Sequence, residues 1–250
     1  MTDSSVSAAL MPSRVHARST VEVIDGAIQL VREHYATLVS VSAVALLPLL
    51  LVAPVADRLP RLVINLLWTV CSAYGEGCLI IAIAAVYTGN PLPSVPTLLR
   101  AGNRVFGRVL AIIFTRNVAT GLGLILLIVP GLFFYAYYML AAPVAVLEGL
   151  SVRPAIKRGG ALAKGEYGRL IKVALLTGLI YLMLFFGAGV AIALVTKSGS
   201  MATLATMVVQ ILVLPAFVAI TVLLYYDIRE RREGFDIELA LGTTAAPSPA

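Results

Sequence analysis

Charge is scarce in this chain, and its absence is organised. Residues 36–56, 173–196 and 198–226 contain no Asp, Glu, Lys or Arg, and 62–87 contains only Glu76. A run of about 20 apolar residues is what an α-helix needs to cross the roughly 30 Å hydrocarbon core of a bilayer. With 60% hydrophobic residues and a mean hydropathy of +0.95, the chain is too apolar for a soluble domain of its length. The expectation is an integral membrane protein. Its first 35 residues contain no apolar stretch that would serve as the core of a signal peptide, so the run starting at Ala36 is read as an uncleaved first span.

Cysteine and histidine are also sparse. Cys71 and Cys78 lie about 10 Å apart along one helix and cannot bond to each other within it. His16 and His34 both belong to the N-terminal region, away from those cysteines. Neither a metal site nor a bound cofactor is expected, and buried cysteines in an apolar span are the ordinary reading. No Ser-His-Asp arrangement or carboxylate dyad stands out, because every acidic residue except Glu76 falls at a helix end or in a tail. The pairs Gly121-x-Gly123 and Gly187-x-Gly189 have no preceding strand and are not phosphate loops. They suit close helix packing, as does Gly187-xxx-Ala191. No reaction follows from these residues: a non-enzymatic module is favoured, and an enzyme acting on lipid headgroups ranks last of the readings that stay open.

What is present is a regular alternation of apolar runs and basic clusters. Residues 109–147 are interrupted by Arg116 and by Val129-Pro130-Gly131. As one helix they would extend about 58 Å, enough for two crossings. A Pro-Gly pair is a turn signal, so a hairpin at 129–131 is expected. With it there are six spans, at about 36–56, 62–87, 109–128, 132–147, 172–196 and 203–226. Fifteen of the 19 Lys and Arg residues then share one side: three in 14–32, three in 100–108, six in 153–172 and three in 229–232. Treating 109–147 as a single span would leave seven inside and eleven outside. The positive-inside rule favours six spans with both termini cytosolic, as in a bacterial inner membrane.

Three inner segments share a design. Residues 20–35 align Val23, Ala27, Leu30, Val31 and Tyr35, with Ser19 and Glu22 spaced as a capping box. Residues 95–109 set Leu98, Leu99, Val105, Phe106 and Val109 against Arg100, Arg104 and Arg108. Residues 152–170 set Val152, Ala155, Ile156, Leu162, Ala163 and Tyr167 against Arg153, Lys157, Lys164 and Arg169. Ser94 and Ser151 read as N-caps, each followed by an early proline, Pro96 or Pro154. The expected fold is therefore an all-α integral membrane protein. Its six transmembrane helices form three hairpins, each preceded by a cytosolic interfacial amphipathic helix with an aromatic anchor (Tyr35, Phe106 or Tyr167). Residues 19–242 form one domain between a flexible tail at 1–18 and a disordered tail at 243–250.

Glu76 and Arg116 are ionisable residues deep inside spans, and such residues are functional candidates by default. They could pair across the bundle. Helical side chains lean toward their own N-terminus, which points Arg116 to the cytosol and Glu76 away from it, so the pairing stays open. Asn117 is expected to make an interhelical hydrogen bond. The end of the last span is denser in charge. Asp227 with Arg231 and Arg229 with Glu233 are i,i+4 pairs. Gly234 suits a helix stop, and Phe235, Ile237 and Leu239 alternate with Asp236 and Glu238.

This closing segment, Tyr226-Asp227 through Asp236, resembles the C-terminal signature of the glycerophosphoryl diester phosphodiesterase membrane domain family. Leu127-Ile128-Val129-Pro130-Gly131 is similar to its outer-turn motif, and Ala142 through Leu150, with Glu148-Gly149, to the segment leaving its fourth span. Ala155-Ile156-Lys157-Arg158 and Lys164-Gly165 resemble the basic helix that follows, although Gly159 stands where serine is expected. The resemblance covers most of 20–240. It implies a six-span bacterial membrane module without the catalytic phosphodiesterase domain, and it does not imply phosphodiester hydrolysis.

Two functional expectations follow. One is a membrane scaffold or accessory module acting through its basic cytosolic face, with Glu148, Arg158, Asp227, Arg229, Gly234 and Asp236 as its candidate residues. Its partners would be the bilayer, anionic lipid headgroups and a membrane or cytosolic protein; the net charge of +6 calls for no nucleic acid. The other is a transporter or lipid-handling protein using Glu76 and Arg116. That alternative requires a polar cavity between the second and third spans.

Overall fold

The computed structural model describes residues 20–196 and 199–233. Six of its helices are long and apolar enough to cross a membrane: Tyr35–Val52, Arg61–Tyr87, Val95–Leu126, Ile128–Leu147, Tyr167–Ile192 and Thr203–Glu233. In chain order the α-helices are α1 (Thr20–Glu33), α2 (Tyr35–Val52), α3 (Arg61–Tyr87), α4 (Val95–Leu126), α5 (Ile128–Met139), α6 (Ala141–Leu147), α7 (Val152–Ala163), α8 (Tyr167–Thr196) and α9 (Gly199–Glu233). A 3-10 turn, Ala53–Arg58, follows α2. Neighbours in sequence pack as hairpins: α2 on α3, α4 on α5 and α8 on α9.

The exposed surface shows where lipid belongs. Leu126 is 77% exposed, and Leu176, Leu179, Met183 and Phe186 of α8 also face outward. So continuous an apolar surface is untenable in water. The buried core gathers instead around α9, which contacts α1, α2, α3 and α8 and covers Leu214, Val218, Val222 and Tyr225.

The turn between the third and fourth spans lies earlier than the Pro-Gly pair. The chain is extended only at Leu127 (φ −167°, ψ 155°), and Pro130 and Gly131 already belong to the first turn of α5. Proline is at home there because first-turn N–H groups have no intrahelical acceptor. Gly131 serves contact: a methyl group on it would lie 2.8 Å from the Leu124 backbone nitrogen, and one on Gly123 would lie 2.7 Å from Gly131 Cα. The two glycines let α4 and α5 touch backbone to backbone. Gly121 and Gly187, by contrast, face open space, and on α8 it is Gly189 that meets α9, at Thr206. The expected contact through Gly187-xxx-Ala191 does not form, because Gly187 and Gly189 point to nearly opposite sides of α8.

The fourth span is also broken, at Leu140, between α5 and α6. Pro143 explains this: it has no N–H to give to the carbonyl four residues back, at Met139, and its ring crowds that carbonyl.

The threefold amphipathic pattern is only partly realised. α1 and α7 are separate helices, but 95–109 runs without a break into α4. The sequence there offers no interruption comparable to His34 (φ −120°, ψ 21°) or to Gly165 (φ 91°), which takes the left-handed conformation that glycine tolerates. Nor does α1 offer its apolar face to headgroups. Val23, Ala27 and Val31 are buried, Gly26 faces Leu223, and Tyr35 Oη donates to the Leu212 carbonyl at 3.4 Å. α1 therefore lies antiparallel along α9. Phe106 and Tyr167 are half-buried, with their rings against Tyr74 and Phe133 respectively.

Ser94 and Ser151 occupy N-cap positions, but neither side chain caps. Pro96 and Pro154 sit at the second and third helical positions, whose N–H groups such a cap would engage. Ser94 Oγ instead shares a 2.9 Å hydrogen bond with Thr97 Oγ1.

Candidate functional site

Two clusters of polar residues stand out. The first is at the basic end of the bundle, where the α6–α7 connection meets the end of α9. Glu148 terminates α6 and directs one carboxylate oxygen to Arg158 Nε of α7 at 3.2 Å. Arg158 Nη2 reaches Glu233 at 2.5 Å, and the other Glu233 oxygen accepts from Arg229 Nε at 3.1 Å. Arg229 Nη1 then donates to Tyr225 Oη at 3.4 Å, and Tyr225 donates to the remaining Glu148 oxygen at 2.9 Å. The five residues close a ring. Burial works against the Arg158 charge, but Glu233 and Glu148 outweigh it and hold the guanidinium above its ordinary pKa.

A second set of pairs lies beside this ring. Asp227, 3% exposed, binds Arg169 of α8 as well as Arg231 at 2.9 Å. Arg169 is set by the sequence pattern opposite the apolar face of the amphipathic stretch. It turns inward because Gly165 ends that stretch, and α8 starts a new helical phase at Tyr167. Arg108, also opposite an apolar face in the sequence pattern, donates to the Gly149 carbonyl at 2.8 Å and closes the C-terminal end of α6. Tyr87 stacks on Tyr226 at 4.5 Å and hydrogen-bonds Glu230 at 2.8 Å. Gly159 also acquires a reason: a methyl group there would meet the Ala141 backbone nitrogen at 3.0 Å, so the close crossing of α7 on α6 favours glycine.

Among the sequence candidates, then, Glu148, Arg158 and Arg229 share one ring, with Asp227 beside it. Gly234 and Asp236 lie outside the described residues, as do Ser19 and the alternating segment after Gly234.

The second cluster is inside the bundle. Helices α3, α4, α5, α8 and α9 contact one another in cyclic order and line a half-open cavity of about 490 Å³. Glu76 and Arg116 line it, with Glu76 Oε1 and Arg116 Nη1 3.6 Å apart. The Arg116 guanidinium lies 5.7 Å from the centroid of the Tyr135 ring, within cation–π range. Asn117 borders the same cavity. It has no hydrogen-bond partner among the described residues, because one residue beyond Arg116 it points about 100° further round α4 and misses the neighbouring helix.

The remaining polar lining was not singled out from sequence. α3 contributes Thr69 and Ser72, α4 Thr120, α8 Thr177 and Tyr181, and α9 Gln210. Tyr181 Oη donates to Gln210 at 3.2 Å, whereas Ser72 Oγ, Arg116 Nε and Thr120 Oγ1 are buried without a partner among the described residues. Trp68, Leu132 and Phe217 supply apolar wall. Cys71 and Cys78 are both buried free thiols. Among the described residues, no three His, Cys, Asp or Glu side chains gather as a metal-binding set.

No protein-family model, curated protein or solved structure matches the chain. The site must be read from its own geometry, and that geometry, with six apolar helices exposing apolar surface, belongs to a multi-pass integral membrane protein.

Proposed function

We propose that this protein binds a small polar or amphiphilic molecule within the membrane, as a transporter or lipid-handling protein does. The observation that carries the reading is the cavity of about 490 Å³ inside the five-helix ring, lined by an ion pair and three unpartnered polar atoms. That volume is within the ordinary range of ligand pockets, about 300–1,000 Å³. Intramembrane charge is costly and usually marks a substrate or ion path. The scaffold reading has less to carry it, since Glu148, Arg158, Arg229 and Asp227 each have an ion-pair partner within the protein.

The ring at the basic end serves this function by closing α7 against α9, which fixes α8 and α9 around the cavity. We place that end in the cytosol of a bacterial inner membrane, where basic residues concentrate. We also read the chain as a diverged relative of the glycerophosphoryl diester phosphodiesterase membrane domain. Glu148-Gly149 and Tyr226-Asp227, the most specific points of that resemblance, lie at the ring or beside it.

Gly178 lines the cavity, and nothing lies within 4 Å of where its Cβ would stand. Gly178→Trp therefore fills the space without displacing backbone. Mass spectrometry in native membrane discs should find a small molecule held stoichiometrically by the wild type and lost from Gly178→Trp, with equal thermal stability. Retention of the same molecule by both proteins, or by neither, would overturn the proposal.

A further inference from the structure

The Glu76–Arg116 pair is incomplete as built. Its 3.6 Å separation exceeds hydrogen-bonding distance, and Arg116 Nε has no acceptor among the described residues. Ser72 Oγ on α3 and Thr120 Oγ1 on α4 are also unpartnered, and both line the cavity with the pair. Ser72 lies one helical turn before Glu76, and Thr120 one turn after Arg116, so each hydroxyl is on the same face as its charged neighbour. Buried polar groups without partners are costly, and a guanidinium and a carboxylate each retain bonding capacity beyond one loose contact.

The charges also restrict what can complete them. Glu76 and Arg116 cancel, so a singly charged guest would bring an uncompensated charge into a low-dielectric site. A guest with one charge of each sign adds no net charge and meets a complement for both. We propose that the cavity recognises a zwitterion, its oxyanion on Arg116 with the Ser72 and Thr120 hydroxyls and its ammonium on Glu76. The inference rests on the reading of the cavity as a ligand site. Trp68, Leu132 and Phe217 would take an apolar portion of the guest. Two sources carry this chemistry: a free α-amino acid and the headgroup of a zwitterionic phospholipid.

The test has two arms. In the first, leucine, N-acetylleucine (anion only) and leucinamide (cation only) compete for the purified protein in phosphatidylglycerol discs. In the second, native mass spectrometry compares retained phosphatidylethanolamine with retained phosphatidylglycerol in mixed discs. The expected result is a preference for the zwitterion of at least about tenfold in one arm, since a site built for a polar group rejects analogues that lack it. The arm that responds identifies the source. Gly178→Trp should abolish the preference. Arg116→Lys, which keeps the ion pair but loses the planar fork, should reduce it about tenfold while the protein still folds. Equal binding of zwitterion and singly charged analogues would overturn the inference. If a different molecule is retained and lost in Gly178→Trp, the inference fails and the cavity reading survives. If nothing is retained, both fail.

Discussion

Arg158 of α7 and Glu233 of the last turn of α9 meet at 2.5 Å, and through them two segments remote in sequence are locked together. Each has a second partner: Arg158 holds Glu148, and Glu233 holds Arg229. An isolated exposed ion pair contributes little, about 0–1 kcal/mol. Here the carboxylates use both oxygens in a closed circuit, and each side chain is already ordered by another contact.

Reversing one charge should expose that coupling. Arg158→Glu would face Glu148 and Glu233 with a like charge and should destabilise the protein by about 1.5–3 kcal/mol, the range for hydrogen bonds to charged groups. The thermal midpoint in detergent checks this. A double-mutant cycle with Arg158→Ala and Glu233→Ala isolates the pair: the double variant should cost less than the sum of the singles, and strict additivity would mean the two residues are not coupled.

Tyr225 is the uncharged member of the ring and is fully buried. Tyr225→Phe keeps the ring packing but takes the donor from Glu148 Oε1 and the acceptor from Arg229. A cost of about 1–2 kcal/mol is expected from the unsatisfied groups. Unfolding in the same detergent should show it, and a neutral result would mean that water replaces the hydroxyl.

The six spans were legible because helix-length runs without charge have one physical use. The pairs Asp227–Arg231 and Arg229–Glu233 were legible from helical spacing, which acts within a single element. The closure from Arg158 to Glu233 was not, since it depends on how α7 packs against α9. The turn at Leu127 was misplaced because Pro130-Gly131 can open a helix as readily as end one, and only the contact of Gly131 with Gly123 decides between them. Half of the cavity could have been read: Thr69, Ser72 and Glu76 repeat at helical spacing in an apolar span, as do Arg116 and Thr120. The contributions of α8 and α9 came only from tertiary packing.

The glycine contact makes a contrast within one helix. Gly123→Ala would place a methyl group against the α5 backbone and should destabilise by about 1–3 kcal/mol, as overpacking does. Gly121→Ala, two residues away and facing open space, should be neutral or stabilising by up to about 1 kcal/mol through helix propensity. Thermal midpoints of the two variants in the same detergent test the hairpin geometry; equal effects would place the α4–α5 crossing elsewhere.

The intramembrane pair carries the sharpest stability prediction, because removing one buried charge differs from removing two. Glu76→Gln leaves Arg116 charged beside an amide, and breaking a fully buried pair in this way costs about 3–5 kcal/mol, an upper bound for this pair, whose side chains are 14–15% exposed. Glu76→Gln combined with Arg116→Gln removes both charges and leaves groups that can hydrogen-bond each other across α3 and α4. The double variant should therefore be more stable than the single one. If Glu76→Gln alone were as stable as wild type, Arg116 would have to find other compensation, from water entering the cavity or from a bound anion. Repeating the measurement across a range of salt separates those two cases: exchangeable anions would stabilise the single variant progressively, and water would not.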